Sequence, residues 1–129
     1  MAAAAGPAPI RVLIADDHRL FAEALETILA ADPRITVVGH AGDGRAAVRL
    51  AAELEPDVVL MDIDMPLLDG IEAARAIRAE RPRARILMLT ASNARADVDR
   101  AREAGAAGYV TKDRAAAELI SAIVEIAAG

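Results

Sequence analysis

The stretch DVVLMDIDMPLLDG, residues 57–70, decides how the rest of this chain is interpreted. Val58 to Met61 form an uninterrupted apolar run of strand length, which is typical of a strand buried on both faces of a parallel sheet. The run ends at Asp62, Asp64 follows two residues later, and Asp69-Gly70 indicates a loop before a new helix. A lone aspartate here would most simply end the strand or cap a helix. However, the carboxyl ends of parallel strands are also where open α/β sheets bind ligands, so the interpretation of Asp62 depends on the other strand ends.

Composition limits the classes of protein to consider. A chain of 129 residues with 55% hydrophobic residues is expected to form one domain with a real core. The chain has no cysteine, which excludes disulfides and thiolate metal sites, and its net charge of −5 argues against nucleic-acid binding by this chain alone. No apolar run reaches transmembrane length and residues 1–9 do not resemble a signal peptide. We therefore expect a cytoplasmic protein, with no membrane partner, in which a flexible tail (1–9) precedes the domain (10–129).

Apolar runs alternate with segments of helical period along the whole chain. The expected strands are Ile10 to Ala15, Ile35 to Val38 (ending at Gly39), 58–61, Ile86 to Leu89 and Tyr109 to Thr111. Helices are predicted between them, one of them near 94–104, and a last helix follows with Asp113 as its cap. The first helix is expected to place six apolar residues on one face: Leu20, Phe21, Ala24, Leu25, Ile28 and Leu29. Strand–helix alternation with short connections predicts an α/β fold, with a parallel sheet between helical layers.

Polar side chains stand at the ends of four of these strands. Asp16-Asp17 ends the first strand, Asp62 the third, Thr90 the fourth and Lys112 the fifth. Lys112 is the sole lysine in a chain with fourteen arginines. In a doubly wound sheet these ends meet at one crevice, which would then hold three carboxylates, a hydroxyl and an ammonium.

Three clustered carboxylates repel one another unless their pKa values rise or a cation binds between them. Oxygen ligands without His or Cys favour Mg²⁺ or Mn²⁺. One of the carboxylates could then be a nucleophile toward phosphorus, while Lys112 and Thr90 stabilise the phosphoryl oxygens.

These motifs resemble the receiver domain of two-component response regulators over residues 10–128. The matching pieces are Asp16-Asp17, the D-x-D-M-P-x-x-D-G stretch from Asp62 to Gly70, Thr90-Ala91, and Tyr109-x-x-Lys112. The resemblance implies a flavodoxin-like (βα)5 fold, a doubly wound five-stranded parallel sheet in the order 2-1-3-4-5.

The resemblance also implies a role for each matching residue. Asp62 would accept the phosphoryl group. Asp17, Asp62 and the backbone carbonyl of Asp64 would bind Mg²⁺, with Asp16 acting mainly through a metal-bound water. Thr90 and Lys112 would contact the phosphoryl group, and Tyr109 would change rotamer between states. The domain would catalyse its own phosphorylation and dephosphorylation without being an enzyme otherwise.

Three segments are similar to those of receivers of the NarL/FixJ class: DDHRLFAEAL, VVGHAGDG and the final AAG. Such receivers usually continue into a LuxR-type helix-turn-helix domain, which this sequence does not contain. The resemblance thus implies a histidine kinase as phosphoryl donor and homodimerisation on phosphorylation. It also implies DNA binding through the missing C-terminal domain only.

Two other functions compete with this interpretation. Asp62-x-Asp64 also opens the Asp-x-Asp phosphohydrolases of the haloacid dehalogenase type, but in that family the paired acids follow the nucleophile strand, and this chain has no room for a cap domain. A docking module without phosphorylation would be expected to lack Asp62 or Lys112. The remaining candidates are interpreted as ordinary. His18 is expected at a helix start near the mouth of the site and not as a metal ligand, since no second histidine partners it, and His40 is expected to follow a strand edge and be solvated. Three methionines are interpreted as packing (Met61, Met65 and Met88) and five arginines as a solvated face (75, 78, 81, 83 and 85).

Overall fold

The computed structural model describes residues 8–91 and 95–129, and these form a single α/β layer structure. Strands and helices alternate as predicted. In chain order they are β1 Ile10–Ala15, α1 Arg19–Ala30, β2 Ile35–Ala41, α2 Gly44–Leu54, β3 Val58–Asp62, α3 Gly70–Glu80, β4 Arg85–Thr90, α4 Arg95–Glu103, β5 Gly108–Thr111 and α5 Ala115–Ala128. The predicted tail falls mostly on residues 1–7, and the predicted start of the fourth helix on residue 94, which lie outside the described residues.

The five strands form one parallel sheet in the order β2-β1-β3-β4-β5, which confirms the predicted doubly wound fold. The chain first adds β2 on one side of β1, then crosses back and adds β3, β4 and β5 on the other. The reversal places the carboxyl ends of β1 and β3 side by side at the centre of the sheet, where doubly wound folds have their binding crevice.

The apolar run of β3 is buried on both faces of this sheet. Val58 to Met61 have no exposed surface, and alternate residues belong to different sides of the core. Val59 and Met61 pack in the cluster with α2 and α3, whereas Val58 and Leu60 pack in the cluster with α1 and α5. β3 is thus fixed from both sides, and with it the position of Asp62 at its end.

The prediction that β2 ends at Gly39 is wrong, because the strand continues to Ala41. Its pairing with β1 shifts by one residue: Val12 lies opposite Val37, but Leu13 lies opposite Gly39. Gly39 is not a strand end here but a point of close packing, since a Cβ atom on it would lie 2.7 Å from Leu54 Cδ1. The continuation brings His40 next to the end of β1.

Two helix predictions also need correction. The apolar face predicted for α1 includes Leu20 and Ala24, but both are exposed, Leu20 to 81%. The buried residues of that helix are Ala22, Leu25 and Leu29. Asp113 was predicted to cap α5, but it lies in a 3₁₀ turn, Lys112–Arg114, and α5 begins after Arg114 without a side-chain cap. The turn tightens the entry into the helix and removes the aspartate from the capping position.

The arginine series is not simply a solvated face. Arg78, Arg81 and Arg85 donate hydrogen bonds to the backbone carbonyls of Ala84 (3.0 Å), Ala52 (2.8 Å) and Ile126 (3.2 Å). Ala52 and Ile126 lie in the last turns of α2 and α5, where carbonyls have no partner within the helix. Arg81 therefore ties the end of α3 to the end of α2, and Arg85 ties the start of β4 to the end of α5.

Candidate phosphoryl and metal site

The acid pair follows directly from β1. The Asp16 amide donates a 3.0 Å hydrogen bond to the Ala41 carbonyl and so continues the strand pairing, which turns the Asp16 side chain into the protein. Asp16 is completely buried, and its Oδ1 accepts a 2.8 Å hydrogen bond from the His18 amide. Asp17 is exposed. The two neighbours thus offer one internal carboxylate and one at the mouth of the site.

Asp62 is the last residue of β3 and only 4% of it is exposed. Its Oδ1 accepts a 3.2 Å hydrogen bond from the amide of Asp64. Two hydrogen bonds hold the backbone of the next residue, Ile63. Its amide donates to the Leu89 carbonyl (3.1 Å), and its carbonyl accepts from the Gly70 amide (2.8 Å). Because of these bonds the loop is anchored and Asp62 has a fixed place at the sheet edge. Asp64 itself is exposed, and the predicted role of its carbonyl stays a prediction.

Lys112 closes the site from the end of β5. Its Nζ lies 3.1 Å from Asp16 Oδ2 and 3.3 Å from Asp62 Oδ2, and it stands over the Phe21 ring, 4.9 Å from the centroid. The ammonium therefore bridges two carboxylates from different strands, with an aromatic face beside it. The helical period of α1 predicts Phe21 on its apolar face, but it does not predict the contact with Lys112. The two residues lie on elements far apart in the chain, so only the packing of these elements brings them together.

The three carboxylates are close enough to share one cation. Asp16, Asp17 and Asp62 each have an oxygen within 4.8 Å of the others. Asp16 Oδ2 is buried and accepts no hydrogen bond from the described residues, so its pairing with Lys112 is electrostatic and leaves ligand capacity unused. An all-oxygen donor set in which one buried oxygen is held only by an ion pair fits Mg²⁺ or Mn²⁺.

The electrostatics of the site make Asp62 an unusual carboxyl group. Burial raises the pKa of Asp62 to about 6, and the negative charge of Asp16 adds to this, while Lys112 and the Asp64 amide oppose it. For Lys112, burial alone would lower the pKa, but Asp16 and Asp62 outweigh it and the pKa is raised. At neutral pH Asp62 is thus mostly a carboxylate whose charge is poorly compensated, and an ammonium lies beside it.

This raised pKa predicts how Asp62→Asn changes stability in the presence of EDTA. A carboxyl group whose folded-state pKa lies above its unfolded value of 3.8 stabilises the fold below about pH 4, and this contribution is lost as pH rises through about 6. The substitution should therefore raise the free energy of unfolding more at about pH 7.5 than at about pH 4.5. The expected difference is about 1 kcal/mol, less than the about 3 kcal/mol that the full shift implies, because solvent at the sheet edge screens the charges. Urea unfolding at both pH values measures it; an equal effect at both would contradict the raised pKa.

Thr90 and Tyr109, the predicted switch residues, lie on neighbouring strands. Thr90 ends β4, is 3% exposed and pairs with Thr111 of β5. Tyr109 is 43% exposed and pairs with Met88. The structure therefore brings Thr90 to the same sheet edge as Asp62, and shows Tyr109 in an outward position.

His40 was predicted to be solvated and to follow a strand edge. It is exposed, but it lies within β2, and its Nε2 is 3.0 Å from the Asp16 carbonyl oxygen. A carbonyl only accepts hydrogen bonds, so Nε2 is the donor in this contact. His18 is exposed at the start of α1, and its amide rather than its ring contacts Asp16.

Comparison with known proteins now identifies the family. A family model described as the response regulator receiver domain matches residues 12–124. The transcriptional regulatory protein LiaR of Bacillus subtilis is 46% identical over 114 residues, which is 88% of this chain and 54% of that protein. The chain spans about half the length of such regulators, from 51% to 57% among several that match.

Solved structures agree with this match. A LuxR-family two-component response regulator from Aurantimonas sp. SI85-9A1 superposes with a TM-score of 0.90 at 42% identity, covering 95% of this chain and 87% of that one. The CheX–CheY–BeF3–Mg²⁺ complex of Borrelia burgdorferi gives a TM-score of 0.85 at 26% identity, covering 92% and 90%. Nothing in these matches supports the Asp-x-Asp phosphohydrolase alternative.

No helix among residues 8–91 and 95–129 is long and apolar enough to cross a bilayer. The parallel sheet in the order 2-1-3-4-5, the acid cluster at its central edge and the family match over residues 12–124 all lead to one assignment. This chain belongs to the response regulator receiver domain family, and its relatives are transcription regulators of the NarL and LuxR type.

Proposed function

We propose that this domain accepts a phosphoryl group on Asp62 from a histidine kinase and so changes the output of a longer transcription regulator. The observation that carries the proposal is the placement of Asp62. It is a buried carboxylate at the central sheet edge, with Lys112 Nζ at 3.3 Å and the Asp16-Asp17 pair alongside. Intact mass of wild type and Asp62→Asn after incubation with acetyl phosphate tests it.

The transfer is a substitution at phosphorus. An Asp62 carboxylate oxygen forms the new P–O bond, while the bond from phosphorus to the donor's imidazole nitrogen, or to the acetate oxygen of acetyl phosphate, breaks with its electron pair. Lys112 is placed to interact with the charge on the phosphoryl oxygens, and Thr90 to donate its hydroxyl from the end of β4. Both residues stand at the ends of neighbouring strands, so the sheet sets the position of their backbone before the reaction.

The metal requirement follows from the donor set. Asp16, Asp17 and Asp62 would hold Mg²⁺ or Mn²⁺, together with the Asp64 carbonyl that the family resemblance implies. When bound, the cation offsets the negative charge of the carboxylates and of the incoming phosphoryl group.

The signal would pass through α4, β5 and α5. α4 is loosely held, since Ala101 is its one buried residue among Arg95–Glu103 and Val98 is half-buried. Arg100 on its outer side reaches Asp69 at 3.7 Å, the residue that caps α3. A helix with so few buried contacts can change position at low cost, and pulling Thr90 toward a phosphoryl group would open space for Tyr109 beside it.

Thr90→Ala should separate binding of a phosphoryl mimic from this response. With Mg²⁺ and beryllofluoride, wild type should show amide NMR shift changes both at residues 62–70 and across α4 and β5. Thr90→Ala should keep the changes at 62–70 and lose most of those beyond residue 94, because the hydroxyl no longer couples the site to β4 and β5. Thr36→Ala, on the exposed face of β2, is the matched control. Equal responses of α4 in wild type and Thr90→Ala would rule out coupling through Thr90.

The partners of the longer protein are part of the same proposal. The relatives named LiaR and DegU are transcriptional regulatory proteins. We infer that this receiver is cytoplasmic, that it homodimerises on phosphorylation, and that DNA contact is made by a further domain. The net charge of −5 supports the last point, because a chain with this charge is not expected to bind a polyanion unaided.

A further inference from the structure

Lys112 is bounded on three sides, and the third side is an aromatic ring. Two sides are the carboxylates of Asp16 and Asp62 at 3.1 and 3.3 Å. The third is Phe21, the single phenylalanine of the chain, whose ring centroid lies 4.9 Å from Nζ. An ammonium at this distance over a ring face is attracted by the ring quadrupole.

The position of Phe21 is itself fixed by the core. It lies in the first turns of α1, half-buried beside the fully packed Ala22 and Leu25, and it belongs to the cluster that α1 shares with α5. α5 starts just after the turn that carries Lys112. The ring is therefore held by the same packing that holds the backbone of Lys112, and the two keep their relative position.

A lysine needs such a restraint more than an arginine would. Its ammonium sits on a flexible four-carbon stem and has no preferred plane of hydrogen bonding. When Asp62 is phosphorylated, its carboxylate becomes part of an acyl phosphate and the negative charge lies on the phosphoryl oxygens. The ammonium of Lys112 must then stay near these oxygens. The side chain of Lys112 is 21% exposed, so solvent is an available alternative.

We propose that Phe21 is a positioning residue for the phosphoryl transfer, because its ring keeps the Lys112 ammonium at the Asp62 side of the crevice. This inference rests on the proposed function of Asp62. Phe21 does not touch the reacting atoms; it acts through Lys112. Loss of the ring should slow phosphorylation without weakening the metal site, since none of the three acidic side chains is replaced.

The test uses Phe21→Met, which keeps apolar volume but removes the ring, and Phe21→Tyr, which keeps the ring. Leu29→Val, a fully buried change in the same helix far from Lys112, controls for lost stability. Because Lys112 is the only lysine, isotope-labelled lysine gives one side-chain NMR signal. Its Hε resonance should be shielded by the ring in wild type and Phe21→Tyr, and should lose that shielding in Phe21→Met.

The phosphorylation rate with acetyl phosphate should fall about three- to tenfold in Phe21→Met and stay within about twofold in Phe21→Tyr and Leu29→Val. Mg²⁺ affinity should be unchanged in all three. A lysine signal that does not move in Phe21→Met, or one that moves while the rate stays at wild type, overturns the proposal. So does an equal rate loss in Leu29→Val. If wild type is not phosphorylated at all, Asp62 is not the acceptor and the proposed function fails, whereas the lysine signal still reports separately on the ring contact.

Discussion

Asp62→Asn should abolish the mass increase of one phosphoryl group that we expect for wild type with acetyl phosphate and Mg²⁺. The amide that replaces the carboxylate has nearly the same shape but is a very poor nucleophile, so the fold and the contacts of Lys112 with Asp16 should survive while the acceptor is lost. The expected loss is at least about a thousandfold in the rate, the scale on which removal of a nucleophile acts. Wild type in EDTA should also remain unmodified.

The matched control is Asp99→Asn, an exposed aspartate on α4 that lies outside the acid cluster. It changes the net charge by the same amount and should leave phosphorylation at the wild-type rate. Phosphorylation of Asp62→Asn at the wild-type level would show that another residue is the acceptor. Full modification of wild type in EDTA would show that the reaction does not need a metal ion.

Gly70→Ala, at the first residue of α3, should be strongly destabilising. A Cβ atom on Gly70 would lie 2.1 Å from the Asp62 carbonyl oxygen, 2.8 Å from Ile63 Cα and 2.9 Å from the Asp62 carbonyl carbon. All three are backbone atoms of the anchored strand end, so none can rotate away. The backbone must shift, and we expect a loss of about 3 kcal/mol or more in the free energy of unfolding.

Gly42→Ala is the control, because its added Cβ would meet no atom within 4 Å. That change should alter the free energy of unfolding by less than about 1 kcal/mol, and it can be stabilising. Urea unfolding of both variants measures the difference. Where Gly70→Ala still folds, its phosphorylation should be slower than that of Gly42→Ala, because the clash displaces the carbonyl of Asp62, the proposed acceptor. Equal stability of the two variants would mean that the loop is not tightly packed against Asp62.

The sequence by itself was sufficient for the fold and for the composition of the site. The apolar run 58–61 and its counterparts in β1 and β4 identify buried parallel strands, since such strands lack the alternation of half-exposed ones. Alternation with helices then fixes a doubly wound sheet, and this topology brings all strand carboxyl ends to one edge. Asp16, Asp62, Thr90 and Lys112 could be grouped without coordinates because each stands at such an end.

Only the tertiary structure determined how these groups contact one another. The pairing of Lys112 with Asp16 Oδ2 and Asp62 Oδ2, the ring of Phe21 beside it and the raised pKa of Asp62 all depend on distances between separate elements and on burial. The contacts of His40 and Arg81 could not be predicted for the same reason, since their acceptors are backbone carbonyls on other elements.

The errors within single elements have a related cause. β2 continues past Gly39, which packs closely against Leu54. Leu20 lies exposed in the first turn of α1, and a 3₁₀ turn after β5 takes the place of the predicted Asp113 cap. The periodicity of apolar residues relates a residue only to neighbours three or four positions away in a helix, or two positions away in a strand. Strand register, helix orientation and side-chain partners depend on packing between segments far apart in the chain, and these were settled only when the layers came together.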